Sequence, residues 1–77
     1  MLIRSQDRTK LVDIAGKTIS IDRANAIGIT YANSNVLLGK YTSKEKAMQV
    51  LNMVQESYIN GHIDYQMPDD SEVIENW

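Results

Sequence analysis

The spacing of apolar residues changes period once along this chain. From residue 2 to about 41 they alternate with polar residues or come in short β-branched runs, as strands do. Residues 2–5 read as an opening strand, Gln6-Asp7-Arg8-Thr9 as a turn and 10–14 as the return. After a second turn at Ala15-Gly16, the stretch 18–23 alternates cleanly. Ile19 and Ile21 share one face there, and Thr18, Ser20 and Asp22 share the other. Ala24-Asn25 marks a hairpin tip, and 26–32 sets Ile27, Ile29 and Tyr31 on one side. Asn33-Ser34-Asn35 reads as a loop, because Asn tolerates positive φ and bonds its own backbone. A strand over 36–41 closes the run. Gly28 and Gly39 fall inside strands, where glycine marks a bulge or a close approach of backbone.

The period then lengthens to that of a helix, predicted over about 43–60. Thr42-Ser43-Lys44-Glu45 fits a capping box with Thr42 as the cap, and Glu45 suits the positive end of the helix dipole. Ala47, Val50, Leu51, Val54 and Tyr58 make an apolar stripe, widened by Met48 and Ile59. Lys46, Gln49, Asn52 and Glu56 are set opposite. Gly61 supplies the left-handed residue that ends the helix. Each large side chain of that stripe gains about 1.5–3 kcal/mol from burial, so the stripe must cover something. Residues 62–67 alternate again, with Ile63, Tyr65 and Met67 facing one way, until Pro68 stops the ladder. The expected fold is α+β: an antiparallel β-meander of four to six short strands packed against one amphipathic helix. The domain spans 1–68, and 69–77 is expected to be an acidic, mobile tail with an anchor at Val73-Ile74.

At 77 residues a chain has a small interior, and further burial usually comes from disulfides, a metal or self-association. There is no cysteine, and His62 is a lone imidazole, which leaves a homo-oligomer as the expected route. No apolar run has the length of a signal peptide or a membrane span, so the expected compartment is the cytoplasm and no membrane partner is expected. The net charge of −2 hides an asymmetry. Residues 1–46 hold all eight Lys and Arg against four acids, a net +4, whereas 47–77 hold six acids and no base, a net −6. Either the acidic tail is solvated near the basic half, or it meets a basic surface on a sister subunit or another protein.

Arg4, Arg8, Lys10, Lys17 and Arg23 come from the first strands and turns. Arg4, Arg8, Lys10 and Arg23 are the candidates for an anion-binding face toward a phosphorylated small molecule; an ordinary solvated edge is the plainer reading. The low pI and sparse aromatic interleaving speak against a general nucleic-acid binder. Candidates for partner contact are Met53, which falls off the helix stripe, the acidic Asp69, Asp70, Glu72 and Glu75, and Trp77. Tyr31, Tyr41, Tyr58 and Tyr65 suit a sheet–helix boundary with the hydroxyl at the rim. No nucleophile–base pair, buried carboxylate pair or glycine-rich phosphate loop stands out. The expectation is therefore no catalytic residue, no cofactor and no metal site.

Leu2-Ile3-Arg4-Ser5-Gln6-Asp7 with Leu11-Val12, Leu38-Gly39-Lys40-Tyr41, the helix from Ser43 to Tyr58, and Gln66-Met67-Pro68 resemble a family of small uncharacterised proteins of Gram-positive bacteria and their prophages. The resemblance covers most of the chain and is thinnest over 15–35. It implies a mobile-element setting and the same sheet-plus-helix build. It carries over no functional residue, because the family has no assigned activity. The expected function is non-enzymatic protein–protein binding, with inhibition of a host defence protein as an extension. A ligand-sequestering oligomer and a structural accessory protein are the alternatives.

Overall fold

The computed structural model describes residues 1–74. Six short strands and one helix make an α+β fold, with the helix against the strands. In chain order these are β1 (Leu2–Arg4), β2 (Leu11–Asp13), β3 (Thr18–Ile21), β4 (Ala26–Tyr31), β5 (Ser34–Lys40), α1 (Lys44–Ile59) and β6 (Asp64–Gln66). A 3₁₀ turn at Asp70–Glu72 follows.

The strands divide into two sheets, β3-β4-β5 and β2-β1-β6. The first is an antiparallel meander of sequence neighbours. Its opening hairpin has a three-residue loop. Asp22 N–H donates to the Ala26 carbonyl at 3.0 Å, Asn25 N–H donates to the Asp22 carbonyl at 3.1 Å, and Asn25 has φ 60°. This is a type I turn closed by a left-handed bulge residue. The second hairpin turns on Ala32-Asn33, both at positive φ, as a type I′ turn requires. The loop expected at 33–35 is thus shorter and earlier, and Ser34 and Asn35 belong to β5. Register shifts between Ile27 and Gly28, with Leu38 as the extra residue on β5. Any Cβ at Gly28 would sit 3.1 Å from the Val36 carbonyl oxygen, so a larger residue there would have to push the β5 backbone back by a few tenths of an ångström.

The second sheet joins distant parts of the chain. β1 pairs antiparallel with β2, and β6 adds on the other side of β1 in parallel register, Leu2 opposite Asp64 and Arg4 opposite Gln66. A parallel partner needs a long crossover, here supplied by the first sheet and α1. Gln6 fastens the two sheets. Its N–H donates to the Leu38 carbonyl at 2.6 Å, its Oε1 accepts from Lys40 N–H at 2.9 Å, and its Nε2 donates to the Lys40 and Pro68 carbonyls at 3.1 and 3.2 Å. One side chain and its amide thereby take the place of a strand along the end of β5. Gly39 leaves room for this, because a Cβ there would press on both Gln6 and Tyr41.

The core is formed by Ile3, Ile27, Ile29 and Leu38 from the sheets, Ala47, Val50 and Val54 from α1, and Met67 and Val73 from the C-terminal segment. Ser43, not Thr42, caps α1: its hydroxyl accepts from Lys46 N–H, while Thr42 turns instead to Asp70. At the other end His62 N–H bonds the Ser57 carbonyl and Gly61 N–H the Tyr58 carbonyl, with Gly61 at φ 78°. That is a Schellman stop on the glycine the sequence offers. The buried stripe of α1 is Ala47, Val50, Val54 and Ser57; Met48, Tyr58 and Ile59 lie outside it. Met53, expected off the stripe, packs against the core edge.

Candidate functional site

The basic residues predicted to form one face are divided by the two-sheet arrangement. Arg4, Arg8 and Lys10 stand at the β1–β2 turn, where Arg4 donates to the Arg8 carbonyl at 3.1 Å. Arg8, in left-handed conformation, lies 3.9 Å from Asp69. Arg23 belongs to the β3–β4 hairpin on the other sheet. Arg4 and Arg23 line different depressions, one on the outer side of β1 and β6 and one between β3 and α1. Lys17 donates from Nζ to the Asp13 carbonyl at 2.6 Å.

The acidic segment is tied to the body as far as it is described. Asp70 accepts from Thr42 N–H at 2.8 Å, from the Thr42 hydroxyl, and from Lys46 Nζ at 3.3 Å. The Thr42 amide bond is the main reason that the Asp70 carboxyl is held below the usual carboxylate range. The Glu72 carboxylate accepts from Asp69 N–H at 2.9 Å. Val73 is 4% exposed and part of the core. The boundary expected at residue 68 is therefore not where packing ends: the segment from Asp69 to Val73 closes over the start of α1. Ile74, the other half of the expected anchor, is exposed. Glu75 and Trp77 lie outside the described residues.

At the β1–β2 turn, Asp7 collects the Ser5 hydroxyl at 2.6 Å, Thr9 N–H at 3.0 Å and the Thr9 hydroxyl at 2.7 Å. These bonds, led by Ser5, hold its carboxyl far below the usual range. Tyr41 is buried and its hydroxyl donates to the Pro68 carbonyl at 2.8 Å; burial pushes its ionisation well above that of a free phenol. Burial also raises the Tyr65 hydroxyl. Both are structural placements, with the hydroxyl at the edge of the core as their half-apolar rings suggest. Among the described residues no group of three or more His, Cys, Asp or Glu side chains could hold a metal ion, and no helix is long and apolar enough to cross a membrane.

Sequence reasoning missed two surfaces. The first is the exit of α1, where Tyr58 is 66%, Ile59 71% and Ile63 83% exposed. Periodicity had drawn Tyr58 and Ile59 into the buried stripe; the available signal was Ser57, a small residue at the buried phase where the helix leaves the sheet. The second is an open groove of about 740 Å³ between the end of β3 and one flank of α1. Ile21, Met48 and Leu51 form its floor, and Arg23 and Lys44 lie along its rim. Set against protein-family models, curated proteins and solved structures, the chain matches none.

Proposed function

We propose that this chain works by binding protein, itself included, and not by catalysis. The observation that carries the reading is the exit of α1. Three large apolar side chains within six residues are about two-thirds or more exposed, a denser run along the chain than the other exposed apolar residues, Leu2, Leu11, Leu37, Met48 and Ile74, make. Large exposed apolar side chains grouped in one place are the usual mark of a contact surface. They lie on a well-capped helix end, so they are presented in a fixed arrangement, which lowers the ordering cost of binding. In the mobile-element setting that the sequence resemblance implies, such a protein would act by occluding a surface of a host protein, a defence nuclease among the candidates. An acidic segment could also imitate nucleic-acid phosphates on the basic surface of such a nuclease, but Asp70 and Glu72 spend their carboxylates on the chain's own amides, which argues against that route.

Sedimentation over a wide concentration range tests the reading. Wild-type protein should associate, and the triple variant Tyr58→Ser, Ile59→Ser, Ile63→Ser should stay monomeric with an unchanged circular dichroism spectrum. A wild-type chain that remains monomeric into the millimolar range would remove self-association from the proposal.

A further inference from the structure

The groove beside β3 has the parts needed to bind an extended peptide by strand addition. Its backbone contribution follows from hydrogen-bond phase. The Asp22–Ala26 pair is hydrogen-bonded, so in an antiparallel ladder the bonded pairs continue at Ser20–Gly28 and Thr18–Thr30. Ile19 and Ile21 then direct their N–H and carbonyl groups away from β4. Sheet order puts β3 at the margin, with no strand beyond it among the described residues.

The other sheet margins carry obstructions that β3 lacks. On β2 the Lys17 ammonium occupies the outward carbonyl of Asp13. On β5 Gln6 holds the amide and carbonyl of Lys40 and the carbonyl of Leu38. On β6 there are three residues, beginning with a charged Asp64 and followed closely by Pro68. Charge, proline, shortness and covering groups are the ordinary ways to keep an edge from pairing. β3 is also short, four residues of Thr-Ile-Ser-Ile, but it holds no charge and no proline, and among the described residues no hydrogen bond covers the outward groups of Ile19 and Ile21.

The side-chain contribution comes from α1. Lys44, Met48 and Leu51 recur at helical spacing on the flank that faces β3, and with Ile21 they line the groove. A strand laid along β3 would turn every second side chain toward this floor. The charge at the rim fixes the rest of the occupant's chemistry. Neither Arg23 nor Lys44 makes an ion pair with a described residue. Asp22, the acid in the lining, spends its carboxylate on the amides of Ala24 and Ala26 at 2.8 and 3.0 Å.

We infer that the β3–α1 groove receives an extended segment of a partner protein, with alternate apolar side chains on Ile21, Met48 and Leu51 and a carboxylate at Arg23 and Lys44. The inference rests on reading the chain as a protein binder, but on a different surface from the helix exit. Edge amides give affinity and the alternating pockets give selectivity in this mode of recognition. A second copy of the chain fits less well, because β3 is flanked by Lys17 and Arg23 and would bring cations toward cations in an antiparallel pair.

The test titrates the full chain with two sets of short synthetic peptides. Both alternate Val or Ile with Ser or Thr; one set is flanked by Asp and Glu, the other by Lys and Arg. Amide resonances of Ile19, Ile21, Met48 and Leu51 are followed by NMR. The acidic set should shift these amides saturably and bind about tenfold more tightly than the basic set. The double variant R23E/K44E should reverse that order. Ile19→Pro should abolish binding, because it removes an outward amide and no bond to β4. If that variant loses its fold, Met48→Ser serves instead and should weaken the acidic set while leaving the spectrum of β3 intact. Equal binding of the two sets, or binding that leaves the Ile19 and Ile21 amides unmoved, would overturn the inference. Concentration-dependent protection of those amides without peptide would assign the edge to a second copy and overturn it also. The helix-exit triple variant should bind the acidic peptides normally, so failure at one surface is distinguishable from failure at the other.

Discussion

The two sheets are built by different means. β3, β4 and β5 are neighbours in sequence, joined by tight turns, and their inward faces present Ile19, Ile21, Ile27, Ile29, Val36 and Leu38. Such a sheet is held by aliphatic burial and a long ladder, interrupted at the Leu38 bulge. β1, β2 and β6 have three residues each, and β1 and β6 come from opposite ends of the described chain. Strands that short carry few ladder bonds, and side chains supplement them. Ser5 donates its hydroxyl to Asp7 and accepts Lys10 N–H at 3.0 Å, while Gln66 donates to the Ser5 carbonyl at 3.0 Å and the Met67 carbonyl at 2.7 Å. A small chain thus relies on aliphatic contacts in one sheet and, beside the buried Ile3, adds side-chain amides and hydroxyls in the other. The difference predicts different responses to mutation.

The largest effect should come from the aliphatic sheet. Ile29→Ala removes a fully buried side chain from the middle of β4 and should cost about 2–5 kcal/mol, read as a fall in the urea midpoint with a native-like slope. The corresponding change in the polar sheet is Gln6→Ala. It strips the Lys40 amide and carbonyl of their side-chain partner and leaves the Pro68 carbonyl to the Tyr41 hydroxyl, for about 1–2 kcal/mol. Gln6→Glu sharpens the comparison, because it keeps an acceptor for Lys40 N–H and loses both donated bonds. If it matches wild type, the two donated bonds contribute little and the junction rests on the backbone bond from residue 6 to Leu38 and the bond from Lys40 N–H. A gain should come from the β4–β5 turn, where Ala32 sits at φ 48°. Ala32→Asn places a residue suited to that conformation and should stabilise by about 0.5–1 kcal/mol. Hydrogen exchange of the β4–β5 amides would localise the gain.

The same division explains what was legible beforehand. The helix, its glycine stop, the hairpin at Asn25 and the alternation of Thr18–Ile21 are written in local spacing, and the class of fold followed from them. Cap identity was misread by one residue because Thr42 and Ser43 are both good caps; the choice was made by Asp70, far along the chain, which draws Thr42 away. The parallel place of β6 beside β1 was hidden for a similar reason. Nothing in the residues around Gln66 states that its amide will reach the Ser5 carbonyl. The anion-face candidates were grouped because they are close in sequence, and the split into two sheets sends Arg23 elsewhere. Met53 was set outside by a stripe drawn through Tyr58 and Ile59, whereas the buried line ends at Ser57 and leans toward Val73. Tertiary bonds between polar side chains and distant backbone leave no periodic trace in a sequence.

The smallest expected effect separates the sheets by pH. Asp7 closes the β1–β2 turn with three donors that favour its ionised form, and its folded pKa lies below the value of about 3.9 expected for an unfolded chain. A depressed carboxylate adds stability that is fully present above the unfolded pKa and is lost as pH falls through the folded one. Asp70, depressed by the Thr42 amide and Lys46, adds to the same trend. The urea midpoint should therefore stay level from neutral pH to about 5 and decline below about 4. Asp7→Asn should be less stable than wild type at neutral pH, with a shallower decline in acid, because the group that must be protonated is gone. If its decline is as steep as that of wild type, the acid sensitivity belongs to the Thr42–Asp70–Lys46 contact, and Asp70→Asn should then flatten it. Either result locates the labile bonds in polar closures outside the aliphatic ladder, since the apolar contacts of Ile27 and Ile29 have no proton to gain.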